Sequence, residues 1–302
     1  MLRHIWRRYI RRSFAGFVCC IFFVGAVAAQ QKWPGLDLQK ASKAHNIFSA
    51  DQEMDLGDVE AELLEASFQV IRDREFTTHV TAISRRLLAS LPATNVRILL
   101  IDGPQAEAFS AGNSRIYITR KMVAMMRNDD ELAGLLGHEL AHILAHQNAF
   151  VVSQAFHDFL GVSSVGDRKD IADKFNRMLN SSRWNTNALP TTAPRIQWED
   201  ETDQYKADRF ALYAAASAGF SPRAYAEFFD RFAATQGKRG NPLTDLFGMT
   251  TPNERRLREI YKSLHSLPKP CREIPSPNPS PEFTAWQAEV TAPSTFTKGE
   301  IK

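Results

Sequence analysis

Two histidines and a glutamate stand together at residues 138–142, where the sequence reads His-Glu-Leu-Ala-His. Residues four apart lie on one face of a helix, so His138 and His142 can bind the same metal ion. Glu139 lies beside them, where its carboxylate can act as a base for a water molecule at the metal. The pattern H-E-x-x-H therefore predicts a zinc-dependent hydrolytic site, with two histidine ligands and Glu139 as a catalytic residue.

A buried helix is predicted to carry these residues. Asn128 can cap its N-terminus, with Glu131 three positions on, as in a capping box. Apolar residues then recur at helical spacing, namely Leu132, Leu135, Leu136, Leu140 and Ile143. Neither Gly nor Pro interrupts residues 138–147, so we expect a helix over 129–147. Buried histidines one turn apart need polar partners, and a metal ion would supply them.

A zinc site of this kind needs a third protein ligand. In metzincins it is a histidine six residues after the second one, but Asn148 occupies that position here, and Ala145 replaces the expected glycine. The one cysteine beyond residue 28, Cys271, lies near the C-terminus. His146 shares the face of His142, but two turns along a helix exceed the reach of one metal shell. A carboxylate from a later helix remains as the expected ligand.

The first 28 residues have the pattern of a secretory signal peptide. Five arginines at residues 3–12 precede an apolar run at 14–27 and an Ala-Val-Ala cleavage site at 26–28. The apolar run is short for a membrane-spanning helix, so we expect cleavage and export to the periplasm or the extracellular space. The alternative is an uncleaved N-terminal segment that anchors the chain.

The charge balance argues against nucleic acid as a partner. The chain has 302 residues and a formal net charge of +3. Without the five arginines of residues 1–28, a segment that contains no acid, the charge becomes −2 and no basic patch remains. Cys19 and Cys20 lie in the same segment, so no internal disulfide is expected in the exported chain.

The order of predicted elements indicates an α+β fold, mostly helical with a small β-sheet. Hydrophobic patterns predict strands over 96–101 and 115–119 and helices over 51–72, 75–91, 122–127, 150–180, 199–218, 222–235 and 253–267. Residues 108–113 read as irregular, and 181–194 and 237–252 as loops. One domain is therefore expected over 50–267, after a leader at 29–49 and before a disordered, Pro/Ser-rich tail at 268–302.

Residues 204–211, Gln-Tyr-Lys-Ala-Asp-Arg-Phe-Ala, resemble the E-x-x-A-D segment of metallopeptidase family 48. This family of gluzincins includes HtpX, BepA and the CAAX prenyl protease. Further segments of the chain are similar to family motifs, namely 51–57, 108–119, 130–133, 218–222 and, loosely, 251–255. The resemblance extends from about residue 50 to residue 267. It implies a zincin-like domain with one Zn²⁺ per chain, of the periplasmic type that is not embedded in the membrane.

Two departures from the family pattern concern its site. The zinc-binding Glu of the family falls at Gln204, and a loop His falls at Thr251. The amide oxygen of Gln204 could bind zinc, although a neutral oxygen is a weaker ligand than a carboxylate. Glu201, one turn earlier, or Asp203 could replace it, or the site could hold no catalytic metal.

The resemblance also assigns a role to Asp208, one turn after Gln204. There it would orient a group at the metal site or donate a proton. The alternative is an ordinary helix acid in a salt bridge.

Substrate is expected to bind as an added strand beside residues 115–119, interpreted as an edge strand near the site. Arg115 and Tyr117 would contact the peptide, and Gly112 would let its backbone approach closely. A structural hairpin is the alternative.

Two functions remain open. The first is an exported zinc endopeptidase acting on a peptide or unfolded protein, which the resemblance implies to be a misfolded or misassembled envelope protein. Association with membrane or envelope proteins is then expected. The second is a binding or chaperone-like module whose site is weakened by Gln204. An intact set of His138, Glu139 and His142 favours the enzyme, and Gln204 favours the module.

Overall fold

A computed structural model describes residues 46–89, 94–181, 201–235, 253–276, 279 and 281–292, with the backbone alone at 201, 202 and 235. All structural statements below refer to these residues. The predicted signal peptide, most of the leader and the loops predicted at 181–194 and 237–252 lie outside this set, apart from residue 181.

Eleven helices occur in the described part of the chain. They are α1 (Ala50–Ser67), α2 (Arg74–Leu88), α3 (Arg120–Met125), α4 (Asp129–Leu144), α5 (Gln147–Leu160), α6 (Arg168–Leu179), α7 (Glu201–Ser217), α8 (Pro222–Thr235), α9 (Glu254–Ser266), α10 (Lys269–Arg272) and α11 (Pro281–Thr291). None of them is both long and apolar enough to cross a membrane.

The strands form one mixed sheet of four. They are β1 (Gln69–Ile71), β2 (Arg97–Asp102), β3 (Ala108–Ala111) and β4 (Arg115–Thr119), in the order β1-β2-β4-β3. The pair β2 and β4 is parallel, and the outer pairs β1–β2 and β3–β4 are antiparallel. This arrangement confirms the predicted α+β class, mostly helical with a small sheet.

The alternation of side chains along β4 separates two apolar cores. Ile116 and Ile118 face a core built mainly from α2, α4, α7 and α8. Tyr117 points to the other face of the sheet, into a core formed with α1, α5 and α6, where its ring stacks on Phe109. Because alternate residues of a strand point to opposite faces, one short strand contributes to both cores.

Helix α4 begins at the predicted N-cap, but the predicted capping box is incomplete, because the Glu131 carboxylate accepts from the Arg127 amide instead of the Asn128 amide. The side chain of Asn128 accepts a hydrogen bond from the Glu131 amide, which satisfies one of the free N–H groups of the first turn. The helix ends at Leu144 rather than 147, because His146 has a positive φ of 53° and the chain then turns into α5. The helix predicted over 129–147 therefore ends three residues early, and residue 147 already belongs to α5.

Three predictions about the sheet were wrong. The helix predicted to reach residue 72 ends at Ser67, and residues 69–71 form β1 instead. Residues 108–111, read as irregular, form β3 against β4. Strand β4 is not an edge strand either, because β2 and β3 pair with its two sides. The first and third errors arise because β1 and β4 pair with β2, which lies outside the local sequence pattern of either strand. Strand β3 instead pairs with the next strand, β4, in a hairpin across residues 112–114.

The prediction of a disordered tail from residue 268, with the domain ending at 267, was also wrong for a described part of that segment. Helix α11 places Phe283, Trp286 and Val290 in the core that contains the apolar residues of α4. Its Gln287 side chain donates to the carbonyls of Val123 and Met126 at the end of α3. Burial of these three apolar residues stabilises a helix although the surrounding sequence is rich in Pro and Ser. The folded domain therefore extends at least to Thr291.

Candidate active site

The imidazoles of His138 and His142 converge inside the protein. Their Nε2 atoms lie 3.0 Å apart, and the rings are nearly perpendicular, at 80°. Both residues are buried on the same face of α4, as the four-residue spacing predicts. The two nitrogen atoms therefore face a common point.

The opposite ring nitrogen of His138 is held by a carboxylate. Its Nδ1 lies 2.9 Å from Oδ1 of Asp208, on α7. The Tyr225 hydroxyl, from α8, lies 3.1 Å from the same Nδ1 and donates to Asp208 Oδ1 over 2.7 Å. A carboxylate acceptor at Nδ1 keeps the proton there and leaves the Nε2 lone pair for a metal ion. Asp208 thus has the geometry of an orienting group rather than of a surface salt bridge.

Arg256, from α9, completes this buried network. Its Nε and Nη2 donate to the two carboxylate oxygens of Asp208, each over 2.7 Å. Burial alone would raise the pKa of Asp208, but the charge and hydrogen bonds of Arg256 and the contact with His138 hold that pKa well below its usual range. Nη2 of Arg256 also lies 3.4 Å from His138 Nε2. A positive charge therefore lies next to the point where the imidazoles converge.

His142 has a different support. Its Nδ1 is hydrogen-bonded to Oε1 of Gln147, the first residue of α5. Burial, with His138 as the next cause, lowers the pKa of His142 to about 3. The ring is thus a neutral imidazole, which is the form that binds metal.

Gln204 reaches the site from α7. It is only 1% exposed, and its side-chain Nε2 lies 3.5 Å from His142 Nε2. The oxygen and nitrogen of an amide exchange places by a half-turn of the group, so either can be presented to a ligand. The structure therefore brings together the three side chains proposed as ligands, His138, His142 and Gln204.

The alternative ligands are not supported by the described residues. No group of three His, Cys, Asp or Glu side chains among them could hold a metal ion. Asp203 is buried and pairs with Lys206 at 3.3 Å. The side chain of Glu201 is not described. A small cavity of about 10 Å³ lies beside His142, and its other lining residues are Ala141, Ala145, Gln147, Asp203, Lys206 and Ala207.

Glu139 is buried next to the converging imidazoles. Burial raises the pKa of its carboxyl, against the lowering effects of His138, Arg256 and hydrogen bonds from Ser110. Both the hydroxyl and the backbone of Ser110 contact this carboxyl. Since Ser110 belongs to β3, the catalytic candidate is joined to the outer strand of the sheet.

The predicted substrate-binding residues lie elsewhere on the sheet. Tyr117 is fully buried in the second core. The Arg115 guanidinium donates to Gly57 O at 3.0 Å and to Asp58 at 2.6 Å, next to α1. Gly112 packs directly against Gly57. In the described sheet β1 and β3 each have one unpaired side, and the edge beside Glu139 is β3 at 108–111 rather than the expected 115–119.

The donor set fits a divalent cation. With both Nδ1 atoms donating to oxygen, the two Nε2 lone pairs lie 3.0 Å apart and repel each other, and a metal cation bound by both would remove this repulsion. An amide oxygen from Gln204 would be the third, neutral ligand. Zinc binds such nitrogen and oxygen sets and keeps a fourth position for water or substrate.

Sequence reasoning missed four residues of this site: Ser110, Gln147, Tyr225 and Arg256. Ser110, Tyr225 and Arg256 come from elements far from α4 in the sequence, so no local spacing reveals them. A partial signal existed for Arg256, because residues 251–255, read as a family segment, directly precede it. Gln147 is only five residues after His142, but a polar residue at that distance carries no motif.

Comparison with known proteins assigns the chain to a family. The family model described as Peptidase family M48 matches residues 72–264. The chain is 22% identical over 233 residues to the beta-barrel assembly-enhancing protease of Yersinia pestis, covering 76% of this chain and 47% of that protein. It is 24% identical over 195 residues to the mitochondrial metalloendopeptidase OMA1 of Schizosaccharomyces pombe, covering 62% and 53%.

A third relative is the putative beta-barrel assembly-enhancing protease of Vibrio cholerae, 23% identical over 219 residues, covering 70% of this chain and 44% of that protein. The chain spans about half the length of the curated relatives it matches. The family match covers more than half of the chain and includes α4, α7, α8 and most of α9. The chain belongs to peptidase family M48.

Proposed function

We propose that this protein is an exported zinc-dependent endopeptidase that hydrolyses peptide bonds in unfolded or misassembled envelope proteins. The observation that carries the proposal is the pair of Nε2 atoms 3.0 Å apart, with each opposite Nδ1 held by an acceptor and Glu139 buried alongside. His138, His142 and Gln204 would hold one zinc ion per chain. Export is supported by the signal-peptide pattern of residues 1–28.

The side chains divide the chemistry among them. Zinc, when bound, supplies a Lewis acid that polarises the scissile carbonyl and acidifies water. The Glu139 carboxylate accepts the proton of the attacking water and delivers it to the leaving amine. Asp208 holds the Nδ1 proton of His138, with Arg256 and Tyr225 fixing its own position.

The outer strand β3 supports binding of an extended peptide. One side of β3 pairs with β4, and no strand pairs with its other side in the described sheet. Ser110, in the middle of β3, contacts Glu139, so a peptide added to this edge would run past the catalytic carboxyl. Main-chain hydrogen bonds would hold the substrate in extended form, which suits unfolded proteins of varied sequence.

The substrate class draws support from the relatives. Two of the three are named for enhancing beta-barrel assembly, and the third as a mitochondrial endopeptidase. Proteins that fail to assemble in an envelope expose extended segments, which is the form that an edge strand binds. Association with membrane or envelope proteins is part of this proposal.

Zinc content and peptide cleavage test the proposal together. The purified protein should hold about one zinc per chain, as the two-histidine motif requires, and His138→Ala should lose it. Glu139→Gln should keep the zinc but cleave an unfolded polypeptide such as casein roughly 10²- to 10⁴-fold more slowly. Glu75→Gln, an exposed acid on α2, serves as the matched control and should leave both quantities unchanged.

The second candidate is a peptidase-fold binding module, and Gln204 is the observation that favours it. Gln204→Glu supplies the family's carboxylate and should tighten zinc binding by roughly tenfold or more if the natural site is merely weak. Zinc in the Gln204→Glu variant but none in the natural protein would favour the binding module. Zinc and cleavage in the natural protein would exclude it.

A further inference from the structure

The residue that contacts His142 Nδ1, Gln147, is placed there by the turn that joins α4 and α5. Helix α4 ends at Leu144, and His146, with a φ of 53°, turns the chain so that Gln147 begins α5 beside the last turn of α4. Gln147 is 4% exposed, and its Oε1 contacts His142 Nδ1. Because of this turn, Gln147 contacts His142, which lies five positions earlier in the sequence.

The chemistry of this contact decides the tautomer of His142. A neutral imidazole carries one N–H, at either Nδ1 or Nε2. A carbonyl oxygen can only accept, so contact with Gln147 Oε1 requires the proton to be on Nδ1. The Nε2 lone pair is then free, and it points toward His138 Nε2.

The orientation of the amide depends on this same contact. Within the described part of the chain, Nε2 of Gln147 makes no hydrogen bond. Rotating the amide would place an N–H₂ group against Nδ1 and would favour the other tautomer, in which Nε2 is protonated and cannot bind metal. The hydrogen bond thus couples the two groups: Oε1 toward Nδ1, the orientation in the structure, goes with the Nδ1–H tautomer.

We propose that Gln147 is a positioning residue, which holds His142 in the Nδ1–H tautomer and fixes its ring plane for metal binding. The inference deepens the proposed function, because its consequence for zinc affinity rests on the metal site described above. It also makes the two ligands unequal. His138 is supported by the ionised carboxylate of Asp208, and His142 by a neutral amide, which increases ligand basicity less than a carboxylate does.

The experiment compares variants of the full chain that differ at this one contact. Gln147→Met keeps the length of the side chain and removes the acceptor, and Gln147→Asn keeps an amide that is too short to reach. Gln147→Glu retains an acceptor and serves as the rescue. Gln154→Met places the same change two turns along α5, where Gln154 bonds Asp158 away from the site, as the matched control.

The first readout is the nitrogen-15 spectrum of labelled histidine in metal-free protein. The natural protein, Gln147→Glu and Gln154→Met should each show His142 with its proton on Nδ1 alone. Gln147→Met and Gln147→Asn should show a mixture of the two tautomers. A purely structural role for Gln147 would change the unfolding midpoint without changing this spectrum.

The second readout is zinc affinity, measured by competition with a chromophoric chelator. Loss of a residue that orients a metal ligand weakens binding roughly 10- to 100-fold, so this loss is expected for Gln147→Met, while Gln147→Glu should bind at least as tightly as the natural protein. A single Nδ1–H tautomer and unchanged affinity in both Gln147→Met and Gln147→Asn would overturn the inference.

The two proposals can fail separately. If the natural protein binds no zinc but Gln147→Met still mixes the tautomers of His142, the proposed function fails and the positioning role stands. If zinc binds and Glu139→Gln abolishes cleavage while the tautomer ignores residue 147, the function stands and the positioning role fails.

Discussion

Asp208, beside the imidazoles, and Glu60, on α1, are both buried carboxyl groups, but their pKa values shift in opposite directions. Asp208 is 2% exposed, and Arg256 donates two hydrogen bonds to it, so its pKa lies well below the usual range. Glu60 is fully buried, accepts a 2.7 Å hydrogen bond from the Gly112 amide and contacts Asn148. Burial raises the pKa of Glu60 to about 7, and the hydrogen bonds from Gly112 and Asn148 and the charge of Arg115 offset this only in part.

The difference shows how a guanidinium decides the state of a buried acid. Burial penalises the charged form of both carboxyls, but only Asp208 has a cation in contact to offset it. An ionised Asp208 can hold the Nδ1 proton of His138, as the proposed metal site requires. Glu60 lies where Gly57 and Gly112 pack so closely that a Cβ on Gly57 would lie 2.3 Å from the Gly112 backbone.

The largest effect is expected from removing the cation. Arg256→Met leaves Asp208 buried without compensation, which typically costs about 3–5 kcal/mol of unfolding free energy. Urea unfolding of the metal-free protein measures it. Without Arg256, burial should raise the pKa of Asp208, as it does that of Glu60.

Two controls make that prediction specific. Arg258→Met, on the same helix, removes an arginine that is 70% exposed and 3.6 Å from Glu254, and it should change stability little. The double variant Arg256→Met/Asp208→Asn removes both charges and should recover much of the loss. If the double variant is as unstable as Arg256→Met alone, packing of the arginine over the Phe229 ring is the cause instead.

The central pair of the site was predictable from sequence because it is local. The spacing of His138 and His142 on one helix fixes their common face, whatever surrounds that helix. Gln204 and Asp208 needed the resemblance to family 48, since their position relative to α4 is set by packing of α7. The partners of Asp208 were not predictable, because Tyr225 and Arg256 reach it from two further helices.

The errors in the predicted fold have the same origin. Residues 69–71 continue a helical pattern in sequence, but backbone pairing with Leu100 and its neighbours makes them a strand. The edge was misplaced because β4 pairs with β2 across a connection that local patterns do not report. Helix α11 did leave a signal, since Phe283, Trp286 and Val290 recur at helical spacing, but prolines and serines around them masked it.

The proton on Glu60 makes a smaller but pH-dependent contribution. Between its usual pKa of 4.5 and the folded value of about 7, the folded chain holds a proton that the unfolded chain has released. Its stabilising contribution is therefore complete below the lower value and lost as the pH rises through the upper one. Relative to Glu60→Gln, the natural protein should lose about 3 kcal/mol across this window, measured by urea unfolding at about pH 4.5 and about pH 8.

Glu65→Gln, an exposed change on the same helix, is the control for the Glu60 variant. It should follow the natural protein at both pH values. A difference between Glu60→Gln and the natural protein that stays constant with pH would mean that Glu60 is ionised in the folded chain, and the contrast with Asp208 would disappear.

The smallest effect is expected where an arginine and an aspartate pair near solvent. Arg115 donates to Asp58 over 2.6 Å, a hydrogen bond that is the main cause of the lowered pKa of Asp58, but the Asp58 side chain is 45% exposed. Asp58→Asn should cost less than about 1 kcal/mol of unfolding free energy at neutral pH, because water screens the pair.

The stabilising contribution of the Arg115–Asp58 pair should shrink as the pH falls below 3.8, the usual pKa of an aspartate, because the Asp58 carboxylate of the folded chain then takes up a proton. Raising salt from about 0.05 M to about 1 M should reduce it further. An Asp58→Asn loss as large as that of Arg256→Met would mean that the shared arginine–carboxylate geometry, and not burial, sets the strength of both pairs.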